Sequence, residues 1–238
     1  MLNKRYHIAT YSDTNYKLYP YIECAEKTVI RLGGVGTYED YPIQINSRQS
    51  VMDSIDKMKM KEIFKENEVK QSEFFYKNDK NIPFPCVFKP TKRSGGEGTC
   101  IVNNQEELDS ILSEGYCEPF FTTTSEYRTY CSKYGMFLMI RKKKIENHED
   151  DLFINRDNHS YQQKFVKPRL LKQIEEHSMK ALNALGLDIA CFDIGYSSKD
   201  KHDFVIFESN VSPEMKLNCI VEGYAVEINK LIKEKENK

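Results

Sequence analysis

An apolar run ends on a lysine and passes into glycines in Val87-Phe88-Lys89-Pro90 and Ser94-Gly95-Gly96-Glu97-Gly98. A lysine offers a phosphate a point charge. A glycine loop lets backbone N–H groups approach the same phosphate with no side chain in the way. Toward the other end, Phe204-Val205-Ile206-Phe207 delivers Glu208 and, two residues on, Asn210. Asp193 lies inside a second apolar run, Ile189-Ala190-Cys191-Phe192 before it and Ile194 after it. A charge in such a run is costly unless it is paired or metal-bound. For each acid alone, an ion pair and a metal are about equally good readings. Two neighbouring strands each offering an acid, with Asn210 beside one, favour a hard oxygen-ligand cation such as Mg2+. The expectation is a Mg-nucleotide site built from two ends of one fold.

Taken alone, the glycine loop reads equally well as a turn. It is not a P-loop, because no G-x-x-x-x-G-K-[ST] exists, and a strand rather than a helix follows it, against a dinucleotide-binding turn. Glu126-Tyr127-Arg128 reads most simply as an alternating strand, Lys57 as a solvated helix residue, and residues 141–144 as a basic strand end. The five histidines show no ligand spacing.

The elements that must position these groups follow from pattern. Strands are expected at 6–10, 27–32, 86–89, 99–102, 189–196 and 203–208, and a hairpin at 126–132 and 136–143. One helix is expected over 51–66, capped by Ser47 or Ser50. Another runs from Asn103 or Asn104 to Leu112, a third over 168–185, and a fourth over 218–234. The polar stretch 145–164 reads as a long loop. Strand and helix alternate irregularly with hairpins, so the fold class is α+β.

The 238 residues suffice for one domain or two joined ones. A net charge of −1 gives no reason to expect nucleic acid as a partner. No apolar stretch approaches the ~20 residues of a membrane helix, and no leader is evident at the N-terminus. Seven scattered cysteines without a C-x-x-C pair point to reduced thiols in the cytoplasm and against zinc.

In order, these segments resemble the ATP-grasp superfamily, its ribosomal-protein glutamate ligase-like and phage-encoded members in particular. The resemblance runs from about Ile45 to Met215. It rests on Asp56-Lys57, Lys89 with the glycine loop, Tyr116-Cys117-Glu118, Glu126-Tyr127-Arg128, Arg141-Lys142, Asn155, Asp193 and Glu208-Ser209-Asn210. It implies two α+β subdomains gripping ATP after a short N-terminal α/β segment, divided as 1–48, 49–116 (lid) and 117–238 (metal-bearing). It implies that Lys57 and Lys89 contact phosphates and that Ser94, Gly95, Gly96 and Gly98 close over them. Cys117, Glu118 and Phe120 would line the adenine pocket, and Glu126 would hold the ribose. Arg128, Asn155 and Arg156 would face the γ-phosphate and acceptor, and Asp193, Glu208 and Asn210 would hold Mg2+ or Mn2+. The implied activity is ATP-dependent joining of a carboxylate to an amine (amino acid, peptide or protein tail) through an acyl phosphate, and a homodimer is consistent with it. A small-molecule kinase and a nucleotide-binding module with little turnover are the alternatives.

Overall fold

Short β-branched and aromatic runs bounded by turn residues become the strands of this chain. The structure is a computed structural model that describes residues 6–91, 96–144, 159–162, 167–198 and 203–238. Strands β1 (Tyr6–Thr10), β2 (Thr28–Leu32) and β3 (Ile43–Ile45) form a parallel sheet in that order, with a 3-10 helix at Asp13–Tyr21. The expected helix over 51–66 is two helices, α1 (Arg48–Ile55) and α2 (Lys57–Glu66). Asp56 separates them with an extended ψ of 101°, because its carboxylate accepts from the N–H groups of Met58 and Lys59 and caps α2. Ser47 caps α1 by accepting from the Ser50 N–H.

The second sheet is antiparallel, in the order β4 (Phe75–Tyr76), β7 (Gly115–Pro119), β5 (Cys86–Pro90), β6 (Cys100–Val102). Helix α3 (Gln105–Ser110) lies between β6 and β7, capped by Asn104. Strand β7 crosses the 116/117 boundary drawn from the sequence, so the sheet that presents Lys89 continues to Pro119.

The third sheet is antiparallel throughout and orders β10 (His159–Gln162), β9 (Gly135–Lys144), β8 (Ser125–Ser132), β11 (Ile189–Ser197), β12 (Asp203–Asn210). Helices α4 (Pro168–Ala184) and α5 (Asn218–Glu236) complete the element list. Alternation along β11 assigns its two faces. Ile189 and Cys191 join Tyr224 and Ile228 of α5 in a core shared with the parallel sheet. Ala190, Phe192 and Ile194 join Ile174 and Leu182 of α4, together with Met60 and Phe64 of α2. Helices α1 and α2 therefore pack in the core of the five-stranded sheet, although sequence order places them beside the four-stranded one. Among the described residues, no helix is long and apolar enough to cross a membrane.

Candidate active site

Following β11 along its α5 face, Ile189 and Cys191 give way to Asp193 and Gly195, so one face passes from apolar core to a charged end. The register gathers the charges there. Glu126 lies opposite Lys142, Arg128 opposite Asp193, and Asp193 opposite Glu208. Two residues back along β11, Cys191 lies opposite Asn210. The pairing of β11 with β12 shifts between Asp193 and Ile194, which leaves Phe207 as the extra residue of a bulge. The Phe207 ring lies against Gly195, where an added Cβ would stand 2.3 Å from the ring carbon Cζ.

Asp193 is fully engaged. Arg128 grips it with two bonds, Nε to Oδ1 at 2.6 Å and Nη2 to Oδ2 at 2.8 Å, and Lys142 Nζ reaches Oδ2 at 2.7 Å. Arg128 Nη1 also donates to the Tyr161 hydroxyl at 3.0 Å. Burial alone would raise the Asp193 pKa, but Arg128 and Lys142 outweigh it and hold the carboxyl below its ordinary range. Burial likewise works against the Arg128 charge, and Asp193 reverses it and raises the guanidinium pKa. Glu126 has no such clamp. Burial first, and Asp193 and Glu208 further, push it up to about 7 against the pull of Lys142 and Lys89.

The four-stranded sheet meets this face through Lys89, and α2 adds Lys57 and Lys61. Lys89 Nζ stands 5.0 Å from the centre of the Phe207 ring, on the residue before Glu208. The same ammonium contacts Glu118 Oε2 at 2.5 Å, while Lys61 Nζ contacts Oε1 at 2.5 Å. Burial would raise the Glu118 pKa, yet Lys61 and Lys89 bring it below its usual value. Lys57, one helical turn before Lys61, donates to the Pro90 carbonyl at 3.4 Å. Burial lowers the pKa of Lys57, with Glu208 opposing and Lys89 adding to the shift. Three ammonium groups, two on α2 and one on β5, and one buried carboxylate thus cluster near Glu208.

The fold brings Lys57, Lys89, Glu118, Glu126, Arg128, Asp193, Glu208 and Asn210 into one region. Gly96 and Gly98 both have positive φ (82° and 73°), and an added Cβ at Gly98 would meet Pro90 Cγ at 3.0 Å. Cys117 points away from the lysines into the small core with Cys86 and Phe88, and burial pushes its thiol up to about 12. Phe120 is on the surface. Ser94, Gly95, Asn155 and Arg156 lie outside the described residues.

Among the described residues, no three His, Cys, Asp or Glu side chains form a metal cluster. The Glu208 carboxylate takes no hydrogen bond or ion pair from a described residue. Asn210 Oδ1 accepts only from the Ser212 N–H at 2.9 Å. Of the three residues expected to hold the metal, these two have donor capacity to spare among the described residues, and they fit Mg2+. Asp193 could join them only by releasing Arg128 or Lys142.

Lys61, Tyr161 and Phe207 escaped the sequence reading as site residues, and Lys142 entered it only in the basic strand end and the resemblance. Lys61 repeats Lys57 at i+4 on the same helix face. The hairpin turn alone would set Arg141 opposite Glu126, and a register shift between Tyr130 and Cys131 brings Lys142 there instead. Only the Lys61 signal was present in the spacing. The bulge that brings Phe207 under Lys89 has no local sequence mark.

No protein-family model matches the chain, and no curated protein matches it. Solved structures do. D-alanine–D-alanine ligase from Bacillus anthracis complexed with ATP aligns at TM-score 0.67 and 18% identity, over 95% of this chain and 84% of that one. VanG D-Ala:D-Ser ligase from Enterococcus faecalis aligns at TM-score 0.67 and 15% identity, over 88% and 73%. ATP-grasp ligase PsnB complexed with minimal precursor aligns at TM-score 0.57 and 13% identity, over 82% and 64%.

Proposed function

We propose that this chain, which belongs by its fold to the ATP-grasp superfamily, is an ATP-dependent ligase joining a carboxylic acid to an amine. Lys57 and Lys61 from α2 and Lys89 from β5 bind the phosphates, with Glu118 holding Lys61 and Lys89 in place. Residues 94–98 cover the phosphates, and backbone groups of residues 117–120 take the adenine. Arg128 and Lys142, fixed by Asp193, present positive charge to the γ-phosphate. The loop with Asn155 and Arg156 faces the acceptor.

In the reaction, a carboxylate oxygen of the acid attacks the γ-phosphorus and the bond to ADP breaks, giving an acyl phosphate. The amine then attacks the acyl carbon, phosphate departs, and the extra amine proton passes to solvent. Such transfers depend chiefly on positioning and on charge neutralisation in a dry site. Mg2+ or Mn2+ held by Glu208 and Asn210 would supply further neutralisation of phosphate charge.

The observation that carries this reading is the position of Lys89, which touches Glu118 of its own sheet and the Phe207 ring of the other. One nucleotide at that junction meets cations on one side and oxygen donors on the other. The test is incubation with ATP, Mg2+, candidate acids and hydroxylamine. ADP release with hydroxamate formation is the expected result, and Glu208→Gln abolishes both while keeping the fold by circular dichroism. A stable phosphorylated product without hydroxamate would convert the reading to a kinase. Nucleotide binding without ADP release would reduce it to a binding module.

A further inference from the structure

The outer face of the parallel sheet buries a cation that the proposed reaction leaves unused. Arg31, near the end of β2, is only 2% exposed. Its Nη1 donates to Gln44 Oε1 at 2.8 Å and to the Asn46 carbonyl at 3.3 Å, both uncharged acceptors. Its Nε is buried and has no partner, and Nη2 donates to no described residue. No carboxylate among the described residues pairs with it. Its charged neighbour is Arg48, a like charge, which adds to the lowering of its pKa by burial. The Tyr38 ring lies 5.3 Å from the guanidinium carbon, and the Tyr38 hydroxyl is 3.0 Å from His7 Nε2.

A buried charge without a counter-ion is unfavourable, and the fold keeps one here. The open edge, Nε–H beside Nη2–H, is the fork that matches the two oxygens of a planar anion. A carboxylate uses both donors and cancels the single charge. A phosphate would leave charged oxygens facing Tyr38 without donors.

We propose that Arg31 is the receptor for a carboxylate of the ligand, bound between the sheet and residues 34–42. In that segment Gly36, Thr37, Glu39 and Asp40 are exposed, and it must shift for the anion to enter. The strand runs on from Arg31 toward the reaction centre. An added Cβ on Gly33, two residues after Arg31, would meet Ser212 Cβ at 2.9 Å, and the Ser212 N–H donates to Asn210 Oδ1. Resting on the ligase reading, the bound group is a second carboxylate of the acid or amine substrate, distinct from the one activated. The substrate class is therefore a dicarboxylic acid or an amino acid.

The test titrates the full chain with acetate, succinate, glutarate, L-glutamate and inorganic phosphate. It follows the thermal midpoint and the Nε–H resonance of Arg31, assigned with Arg31→Lys. At least one dicarboxylate or amino acid is expected to move the resonance and raise the midpoint saturably. Arg31→Gln and Arg31→Lys should each weaken that response by ~10-fold or more, since neither keeps the two-donor fork. ADP with Mg2+ should bind all three proteins alike. No movement of the Arg31 resonance with any carboxylate overturns the proposal, as does an equal response in Arg31→Gln or tighter binding of phosphate than of every carboxylate. Should Arg31→Gln not fold, the wild-type resonance decides alone. Loss of ADP binding in the wild type would instead count against the ligase reading, leaving the carboxylate response as a separate result.

Discussion

Two acids on one face of the five-stranded sheet have opposite environments. Asp193 is held by two cations, and Glu126, beside Lys142, accepts no hydrogen bond from a described residue. The contrast follows from geometry, because the Lys142 ammonium reaches past Glu126 to Asp193. A carboxyl raised from 4.5 to about 7 favours the folded state fully below pH 4.5, and that contribution is lost as pH rises through 7. The difference is on the order of 3 kcal/mol between the two ends of the window. Glu126→Gln in the free protein is therefore expected to be more stable than wild type at pH 8 and about equal at pH 4. Urea unfolding at both pH values checks this, and a variant no more stable than wild type at pH 8 contradicts it. Asp193 works in the other sense. Its contribution is present above pH 3.8 and fades as pH falls further. Removing it would leave Arg128 and Lys142 buried without their anion, at a cost of about 3–5 kcal/mol.

At the scale of elements, the junction depends on the β12 bulge and the missing side chain at position 195. The bulge places Phe207 on the face shared by Asp193 and Glu208, and Gly195 leaves room for its ring. Gly195→Ala must displace the ring that lies under Lys89. It is expected to destabilise the protein by about 1–3 kcal/mol and to weaken ADP binding by ~10-fold, measured by calorimetry. Unchanged affinity would show that the Phe207 position does not matter to the nucleotide.

The strands carrying Lys89, Asp193 and Glu208 were legible because each is a short apolar run, with its polar residue near the end for Lys89 and Glu208 and inside the run for Asp193. Helix α4 was legible from its spacing, and the hairpin β8–β9 from its turn. Strands β3, β4, β7 and β10 were not: β4 has only two residues, and β10 lies in a polar stretch that reads as a loop. The break at Asp56 was missed because the apolar positions continue in phase across it. Only the capping carboxylate marks the new helix. The site was legible as a set of residue types. Its pairings, with Glu118 on two lysines and Asp193 on two cations, depend on register between elements distant in sequence.

For the whole molecule, three sheets meet where the chain reads as doing chemistry. The four-stranded sheet brings Lys89, helix α2 brings Lys57 and Lys61, the five-stranded sheet brings oxygen donors and the Arg128 charge, and Gly33, just past β2 of the parallel sheet, lies against Ser212 beyond the end of β12. The central claim is that one nucleotide triphosphate spans the first two. A crystal structure with a non-hydrolysable ATP analogue and Mg2+ tests it most directly. The account expects phosphate oxygens within bonding distance of Lys89, and the metal on Glu208 and Asn210 of the same complex. An analogue bound elsewhere, with Lys89 still closed on Glu118 and no metal at Glu208, would contradict it.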